Sequence, residues 1–389
     1  MTAPNTLRGI TWNHTRGYVP LVATAQRFSE LHPGVTIEWR TRSLQEFADY
    51  PIERLAEQFD MIIIDHPFVG YAAAHPVLLP LDEHLPAAFL DDQAANSVGV
   101  SHASYSFGGH QWALAVDAAT PVSAHRPDLL ERHGVKVPQT WDDLLALARR
   151  GMVAVPAIPI DSLMNFYMLC IGLGEEPFAD QTHVVSEAIG VAALEHVREL
   201  VSLCAPACLE RNPIATYEAL VSGDDLVYCP FAYGYSNYAR ADYTAKTLRF
   251  GGLVQFNGRA LRSTLGGTGL AISTSCQNVE LAVAYAQFVA SPASQRGMYV
   301  TSGGQPGYRA AWLDENVNQM CNNFFRDTLP TLDDAYLRPR YAGYIPFQDH
   351  AGPVVHRYLR AGGDPRAALR ELDKLYHESL ERRNQHEHV

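Results

Sequence analysis

The sequence predicts an α/β protein made of two doubly wound lobes that are joined by a hinge. Strand and helix patterns alternate from residue 7 onward, which is the order that produces a parallel sheet covered by helices. Residues 59–64 form a nearly continuous apolar run, typical of a strand that is buried on both faces. The chain has 389 residues, 47% of them apolar, which exceeds what one hydrophobic core normally holds.

Two strand–helix pairs open the first lobe. A strand over 7–12 precedes a helix that the segment His32-Pro33-Gly34 ends, and a second strand over 35–40 alternates apolar and polar residues. Helical spacing marks both helices, through Leu21, Ala25, Phe28 and Leu31 in the first and Phe47, Ile52 and Leu55, interrupted by Pro51, in the second.

The remaining elements are predicted from hydrophobic pattern. Thr140 is a candidate N-cap, with Asp143 at the third helical position. Strands are predicted over 111–116, 152–155, 225–229 and 269–273, and helices over 126–133, 140–150, 162–171, 186–203, 279–290 and most of the chain beyond 309.

The order of these elements sets the expected boundaries of the lobes. We expect lobe one to hold 1–117 and 266–318, and lobe two to hold 118–265 and 319–389.

Composition excludes several classes of protein. The net charge is -12, without a stripe of Lys and Arg, so nucleic acid is not an expected partner. No apolar run approaches the roughly 18 residues of a membrane span, so no membrane insertion is expected. Six scattered cysteines are interpreted as buried thiols: Cys204 and Cys208 lie four apart, but no further metal ligands lie near them. No metal and no cofactor are predicted.

The first residues are polar and show neither the basic segment, the apolar segment nor the cleavage site of a signal peptide. Two interpretations follow. Either a signal peptide is missing from this sequence, or the protein stays in the cytoplasm, and the start at Met1 favours the second.

Polar and aromatic side chains follow the predicted strands. In a doubly wound lobe, ligands bind at the carboxyl ends of the strands, so these residues are the candidates for ligand binding. They are Trp12, Asn13, His14 and Arg16 after the first strand; Asp65 and His66 after the buried strand; Asp117 after the crossover strand; Tyr233, Tyr235, Asn237 and Tyr238 after the strand at 225–229; Gly267 and Thr268 before the returning strand; and Gln305 in a later turn.

Most of these candidates also have a structural interpretation. Trp12 is compatible with a core position, and Asp65 with a helix cap. The tyrosines after residue 232 suit either ring stacking against a sugar or a structural corner. The glycines at 266 and 267 are not a phosphate loop, because no Gly-Lys-Ser/Thr follows them. They indicate a close approach of two backbones or a bend where the chain crosses between lobes.

Six blocks follow one another along the chain between residues 28 and 306. They are FSELHPGV (28–35), FDMIIID (59–65), LLPLD (78–82), GVKVPQTWDDL (134–144), residues 282–289 with SPASQ (291–295), and SGGQP (302–306). In this order they resemble the family 1 extracellular solute-binding proteins, the group similar to maltose-binding protein. The resemblance implies a type II periplasmic-binding fold that captures a small polar ligand, above all a carbohydrate, by hinge closure for uptake by an ABC importer. It also implies ABC permease subunits as partners and a periplasmic or extracellular location.

A cluster of His14, Arg16, Asp65 and His66 fits a plain sugar site less well. A guanidinium beside two imidazoles suits a carboxylate or another anion. The same groups are compatible with acid–base catalysis. A cytoplasmic enzyme or ligand sensor on this scaffold therefore stays as an alternative, although the sequence favours binding without catalysis.

Overall fold

A computed structural model describes residues 5–43 and 52–386, with side chains to residue 381. The chain divides into two compact units. Unit one comprises Met1–Ala119, Gly266–Leu329 and Arg340–Ala342; unit two comprises Thr120–Leu265, Pro330–Pro339 and Gly343–Val389.

Three stretches that the sequence assigned to the second lobe, 118–119, 340–342 and 319–329, belong to unit one instead. The longest of them is 319–329. Its rings pack on Trp312, whose ring centroid lies 4.9 Å from that of Phe325. Helical spacing in the sequence shows that a helix has an apolar face, but it does not show which core that face joins.

Twelve strands are named among the described residues. In chain order they are β1 (Thr6–Trp12), β2 (Thr36–Arg42), β3 (Met61–Ile64), β4 (Ser106–Phe107), β5 (His110–Gln111), β6 (Leu114–Asp117), β7 (Pro121–His125), β8 (Tyr228–Tyr233), β9 (Arg249–Gly251), β10 (Gln255–Phe256), β11 (Arg259–Ala260) and β12 (Thr268–Ile272).

The α-helices follow in the same way. They are α1 (Thr15–Leu31), α2 (Ile52–Gln58), α3 (Val69–Ala74), α4 (Ala87–Ala95), α5 (Ser101–Ser104), α6 (Pro127–His133), α7 (Trp141–Ala148), α8 (Pro159–Gly172), α9 (Glu187–Leu203), α10 (Pro213–Ser222), α11 (Val279–Ala290), α12 (Pro292–Ser294), α13 (Arg309–Trp312), α14 (Glu315–Met320), α15 (Phe324–Asp333), α16 (Tyr344–Ala361) and α17 (Pro365–His386).

The main sheet of unit one has five strands in the order β2-β1-β3-β12-β6. β1 pairs with β2 and β3 in parallel, and β12 runs antiparallel to both β3 and β6. Along β3, Met61 and Ile63 enter one core while Ile62 and Ile64 enter the core on the other face. Alternation of side chains thus buries this strand on both faces, which confirms the prediction.

Unit two is rich in helices around a small antiparallel sheet of order β8-β7-β9. Helix α16 packs against α8 and α17, and α9 packs against α8 and α16. The predicted cap of α7 is confirmed: the Thr140 side chain accepts from the Asp143 N–H, and the Asp143 carboxylate accepts from the Thr140 N–H.

Three predicted strands differ from the structure. The strand at 111–116 is divided between β5 and β6, and 152–155 contributes only an isolated bridge from Val153 to Tyr228. The strand at 225–229 starts at Tyr228 and continues to Tyr233. Pro230 lies beside a shift of register with β7, where a strand tolerates a missing N–H. Phe47 and Pro51 lie outside the described residues.

Candidate functional site

The carboxyl ends of three strands of unit one meet at one edge of the five-stranded sheet. β1, β3 and β6 run in the same direction, so Trp12, Ile64 and Asp117 end at the same edge, where the antiparallel strand β12 begins at Thr268. This edge brings together most of the predicted binding residues of the first lobe, because those residues directly follow or precede these strands. The sheet topology therefore defines a candidate binding edge.

A buried ion pair lies at this edge. The Arg16 Nε donates to Asp117 Oδ2 at 2.9 Å, and Arg16 Nη2 donates to Asp117 Oδ1 at 2.5 Å. The two side chains are only 4% and 0% exposed. Burial raises the pKa of Asp117, while the guanidinium and the Gln305 N–H act against it. The bidentate contact of a guanidinium with both oxygens is the geometry of a carboxylate ion.

The first turn of α1 fixes the position of Arg16. His14 is the N-cap, and its Nδ1 accepts from the Arg16 N–H at 3.0 Å. Burial, with the nearby Arg16 charge, lowers the pKa of His14 to about 3, so this imidazole is neutral at physiological pH. Asn13 is exposed, and its N–H donates to the Arg42 carbonyl at 2.7 Å.

Trp12 lies beneath that turn. Its side chain is 2% exposed and belongs to the core of unit one, with the Arg16 Cζ 5.8 Å from the ring centroid. A Cβ on Gly17 would lie 2.4 Å from the indole, so glycine allows α1 to approach the ring. The structural interpretation of Trp12 as core is confirmed, and a contact of the ring with ligand stays a prediction.

Asp65 and His66 form a local pair after β3. The Asp65 carboxylate caps the short 3-10 helix His66–Phe68 by accepting from the His66 N–H at 2.8 Å. The His66 Nδ1 lies 3.1 Å from the same oxygen, and the imidazole is completely buried. The alternative that Asp65 caps a helix is therefore confirmed.

Gly267 and Thr268 begin the returning strand. Gly267 has φ +91°, and a Cβ there would lie 2.5 Å from the Asp117 carbonyl oxygen, so the two backbones approach closely. Thr268 is 7% exposed, and within the described residues its Oγ1 has no hydrogen-bond partner. Gln305 is buried, and its Nε2 donates to the carbonyl of Ala118 at 3.1 Å. This bond fixes the backbone directly after Asp117.

The tyrosines of the candidate set belong to unit two. Tyr235 and Tyr238 are buried, with ring centroids 6.3 and 5.2 Å from that of Tyr217. The Tyr238 hydroxyl donates to Glu218 Oε1 at 2.6 Å, and the half-buried Tyr233 shares a hydrogen bond with Thr264 Oγ1. Asn237 is 1% exposed. These contacts agree with the alternative of a structural corner, and ligand binding by this group stays a prediction.

Sequence reasoning missed Tyr299. This fully buried ring lies in the field of both Asp117 and Arg16, and burial raises its pKa far above the usual value. It belongs to a π-helical turn, Gln295–Tyr299, that follows α12. No strand precedes it, so a search for residues after strands could not find it.

Within residues 5–43 and 52–386, His, Cys, Asp and Glu side chains form no group of three or more that could hold a metal ion. In the same part of the chain, every helix is too short or too polar to cross a membrane.

The fold is that of the type II periplasmic-binding proteins. The chain is similar to maltose-bound MalE3 of T. maritima, with a TM-score of 0.83 at 18% identity, over 95% of this chain and 98% of the other. It is also similar to a ribitol complex of an ABC transporter solute-binding protein from Agrobacterium radiobacter K84, with a TM-score of 0.81 at 19% identity over 96% and 98%. A third similar structure is the GacH receptor of Streptomyces glaucescens, with a TM-score of 0.80 at 18% identity, over 97% of this chain and 98% of the other.

Residues 11–185 match the family of bacterial extracellular solute-binding proteins. The family resemblance that the sequence predicts is thereby confirmed, as is the mixed α/β fold.

Proposed function

We propose that this protein captures a small, uncharged, hydroxyl-rich molecule, a carbohydrate or polyol, and presents it unchanged to an ABC importer. The observation that carries this proposal is the closed Arg16–Asp117 pair at the binding edge. Because the Arg16 guanidinium already donates from Nε and Nη2 to Asp117, the carboxylate neutralises its charge. An anionic ligand at this edge would therefore find no net positive charge on the pair.

The same pair argues against catalysis. A general acid–base set needs groups that exchange protons near neutral pH. His14 is depressed to a pKa of about 3 and uses Nδ1 to cap α1, while Arg16 is committed to Asp117. Three of the structural neighbours are named for bound maltose, ribitol and acarbose, which are neutral or sugar-like ligands. Binding without turnover is thus the function that the edge supports best.

Thr268 supplies the hydroxyl that such a ligand would engage. A buried hydroxyl without a partner costs about 1–3 kcal/mol, and a hydrogen bond from a sugar hydroxyl would remove that cost. The Asp65 carboxylate, partly exposed nearby on the same edge, offers acceptors to ligand hydroxyl groups.

The extracellular location and the ABC permease partners belong to this proposal, and the family match over residues 11–185 supports them. A membrane fraction carrying the cognate permease should bind the loaded protein. Accumulation of the protein inside the cytoplasm of its native cell would contradict the location.

Calorimetry with sorbitol, maltose and ribitol, each compared with gluconate, tests the ligand class. We expect at least one neutral compound to bind and gluconate to fail. Tight binding of gluconate alone would refute the neutral site. Mass spectrometry of ligand recovered after long incubation tests turnover, and we expect an unchanged mass.

The variant Thr268→Val tests the role of the hydroxyl. It should weaken binding of the best neutral ligand by about 1 kcal/mol, since one hydrogen bond is lost, without lowering the melting temperature of the free protein. Ser101→Ala is the matched control, because Ser101 Oγ is also buried without a partner among the described residues but belongs to α5. Equal effects of both variants on affinity would remove Thr268 from the site. Small-angle scattering with and without this ligand tests the hinge closure that the sequence predicts.

A further inference from the structure

A tight turn joins β10 to β11 on the surface of unit two. Phe256 pairs with Arg259, so only Asn257 and Gly258 lie between the two strands. Both central residues have left-handed backbone conformations, with φ +50° for Asn257 and +75° for Gly258. Two left-handed residues in a two-residue hairpin define a type I′ turn, for which Asn-Gly is a favoured sequence.

The side-chain amide of Asn257 lies next to an unshielded backbone nitrogen. Asn257 is the only asparagine of the chain that precedes a glycine, and both residues are exposed. A Cβ on Gly258 would meet no atom within 4 Å. Among the described residues, neither the Asn257 side chain nor the Gly258 N–H forms a hydrogen bond. Solvent and the neighbouring amide therefore both have access to the Gly258 nitrogen, because glycine places no side chain beside it.

Asn323 in unit one shares this backbone conformation but not this neighbour. Its φ is +63°, and Phe324 follows it. The Phe324 side chain is 2% exposed, with its ring centroid 5.2 Å from that of Phe325. The Phe324 N–H donates to the Cys321 carbonyl at 2.9 Å. The nitrogen after Asn323 is thus both shielded and hydrogen-bonded, so a left-handed asparagine does not by itself expose the nitrogen that follows it.

We propose that Asn257 is a modification site, at which the folded protein deamidates spontaneously to isoaspartate and aspartate. The Gly258 nitrogen loses its proton to solvent and attacks the Cγ of Asn257. The new C–N bond closes a succinimide ring, and the side-chain nitrogen leaves as ammonia. Water then opens the ring at either carbonyl, and the two openings give aspartate and isoaspartate. The net reaction consumes water, releases ammonia and replaces the amide with a carboxylate.

Isoaspartate changes the hairpin covalently. Its main chain runs through the Cβ of residue 257, so the turn becomes longer by one backbone atom and cannot keep the type I′ geometry. Phe256, directly before the turn, is 5% exposed. Its ring centroid lies 5.2 Å from that of Trp141 and 5.1 Å from that of His196. A longer turn therefore displaces a buried ring of unit two, and the modified protein should be less stable.

Ageing of the full-length protein tests the proposal. Folded protein is kept for weeks in mildly alkaline buffer, which favours loss of the nitrogen's proton, and samples are digested with trypsin. Residues 250–259 form one tryptic peptide, in which Asn257 is the only asparagine, and residues 310–326 form another that contains Asn323. We expect peptide 250–259 to gain the mass difference between OH and NH2 at residue 257. Peptide 310–326, the internal control, should keep its mass.

Two further measurements define the reaction. Isoaspartyl methyltransferase, which methylates isoaspartate but not aspartate, should label peptide 250–259 from aged protein only. A synthetic peptide with the sequence of residues 250–259 gives the rate without the fold. Because an exposed turn opens locally at a small free-energy cost, we expect the folded protein to convert within about tenfold of the rate of this peptide.

Two variants separate the effects on stability. Asn257→Gly has no side-chain amide and suits a left-handed position, so its melting temperature should not change during ageing, whereas that of the wild type should fall. Fresh Asn257→Asp is the matched control for charge. It adds a carboxylate without lengthening the main chain, so it should melt close to the fresh wild type.

The proposal is overturned if peptide 250–259 of the folded wild type keeps its mass while the synthetic peptide converts. Equal gains in peptides 250–259 and 310–326 overturn it as well, because conversion would then not depend on the glycine. Conversion to aspartate alone has the same consequence, since a succinimide opens to both products. All three outcomes are read on the wild-type chain, so they do not depend on the folding of a variant.

Discussion

Unit one and unit two bury ionisable groups in different ways. In unit one, Arg16 and Asp117 enter the protein together, and each satisfies the other through two hydrogen bonds. In unit two, Asp161 in the first turn of α8 is buried alone, and within the described residues its Oδ2 has no hydrogen-bond partner. Burial raises the pKa of Asp161 to about 8, so this carboxyl is protonated at neutral pH. The contribution of a buried ion pair to the free energy of unfolding depends on both partners being present, whereas that of a single buried acid depends on pH.

The largest effect is expected for Arg16→Ala, which removes one half of the pair. Because the Asp117 carboxylate would stay buried without its cation, we expect a loss of about 3–5 kcal/mol in the free energy of unfolding, measured with urea. The double variant Arg16→Ala with Asp117→Ala should lose less than the single variant. Arg27→Ala on the same helix, which breaks an exposed pair with Glu30, should change stability by less than about 1 kcal/mol. Similar losses for Arg16→Ala and Arg27→Ala would contradict the buried pair.

The next effect has the opposite sign and is expected for Asp161→Asn in unit two. The pKa of Asp161 is about 8 in the folded protein and 3.8 in the reference state. Its contribution to stability is therefore complete below pH about 4 and is lost as pH rises toward 8. The variant should gain about 4 kcal/mol at pH 7 relative to wild type, and less as pH falls. A difference between the two proteins that does not vary between pH 4 and 8 would disprove a protonated Asp161.

The smallest effect is expected for His14→Asn. The pKa of His14 is lowered to about 3 from 6.5, so its contribution is complete above pH 6.5 and is lost as pH falls toward 3. Asparagine keeps an N-cap acceptor but does not titrate, so the variant should resist acid better than wild type, by about 2 kcal/mol at pH 5. Thermal melts at pH 7 and pH 5 check this. An unchanged acid sensitivity would show that His14 is protonated in the folded state.

Local features of both units follow from sequence pattern, whereas the pairing of distant charged residues does not. The apolar run at β3 in unit one and the capping pair Thr140 and Asp143 in unit two are local signals, and both are confirmed. The bond between Arg16 and Asp117 joins residues 101 positions apart, so no spacing rule indicates it. The sequence placed Arg16 beside histidines, where an anion site was a reasonable hypothesis. Only the topology of the sheet brings Asp117 to the same edge.

The second unit was less predictable for a different reason. Its strands are short, and the predicted strand at 152–155 contributes one bridge rather than a ladder. Side chains there are apolar whether the segment forms a strand or a buried loop, so hydrophobic pattern does not distinguish the two.

Strand β2 ends the row of described strands in the five-stranded sheet. An open strand edge is a template on which further chains add and aggregate. Along β2, Thr36, Glu38 and Arg40 project outward as exposed polar or charged residues, while Trp39 between them is buried. An approaching strand would have to remove both charges from water. Within the described part of the chain, this row of side chains therefore opposes the addition of a further strand at β2.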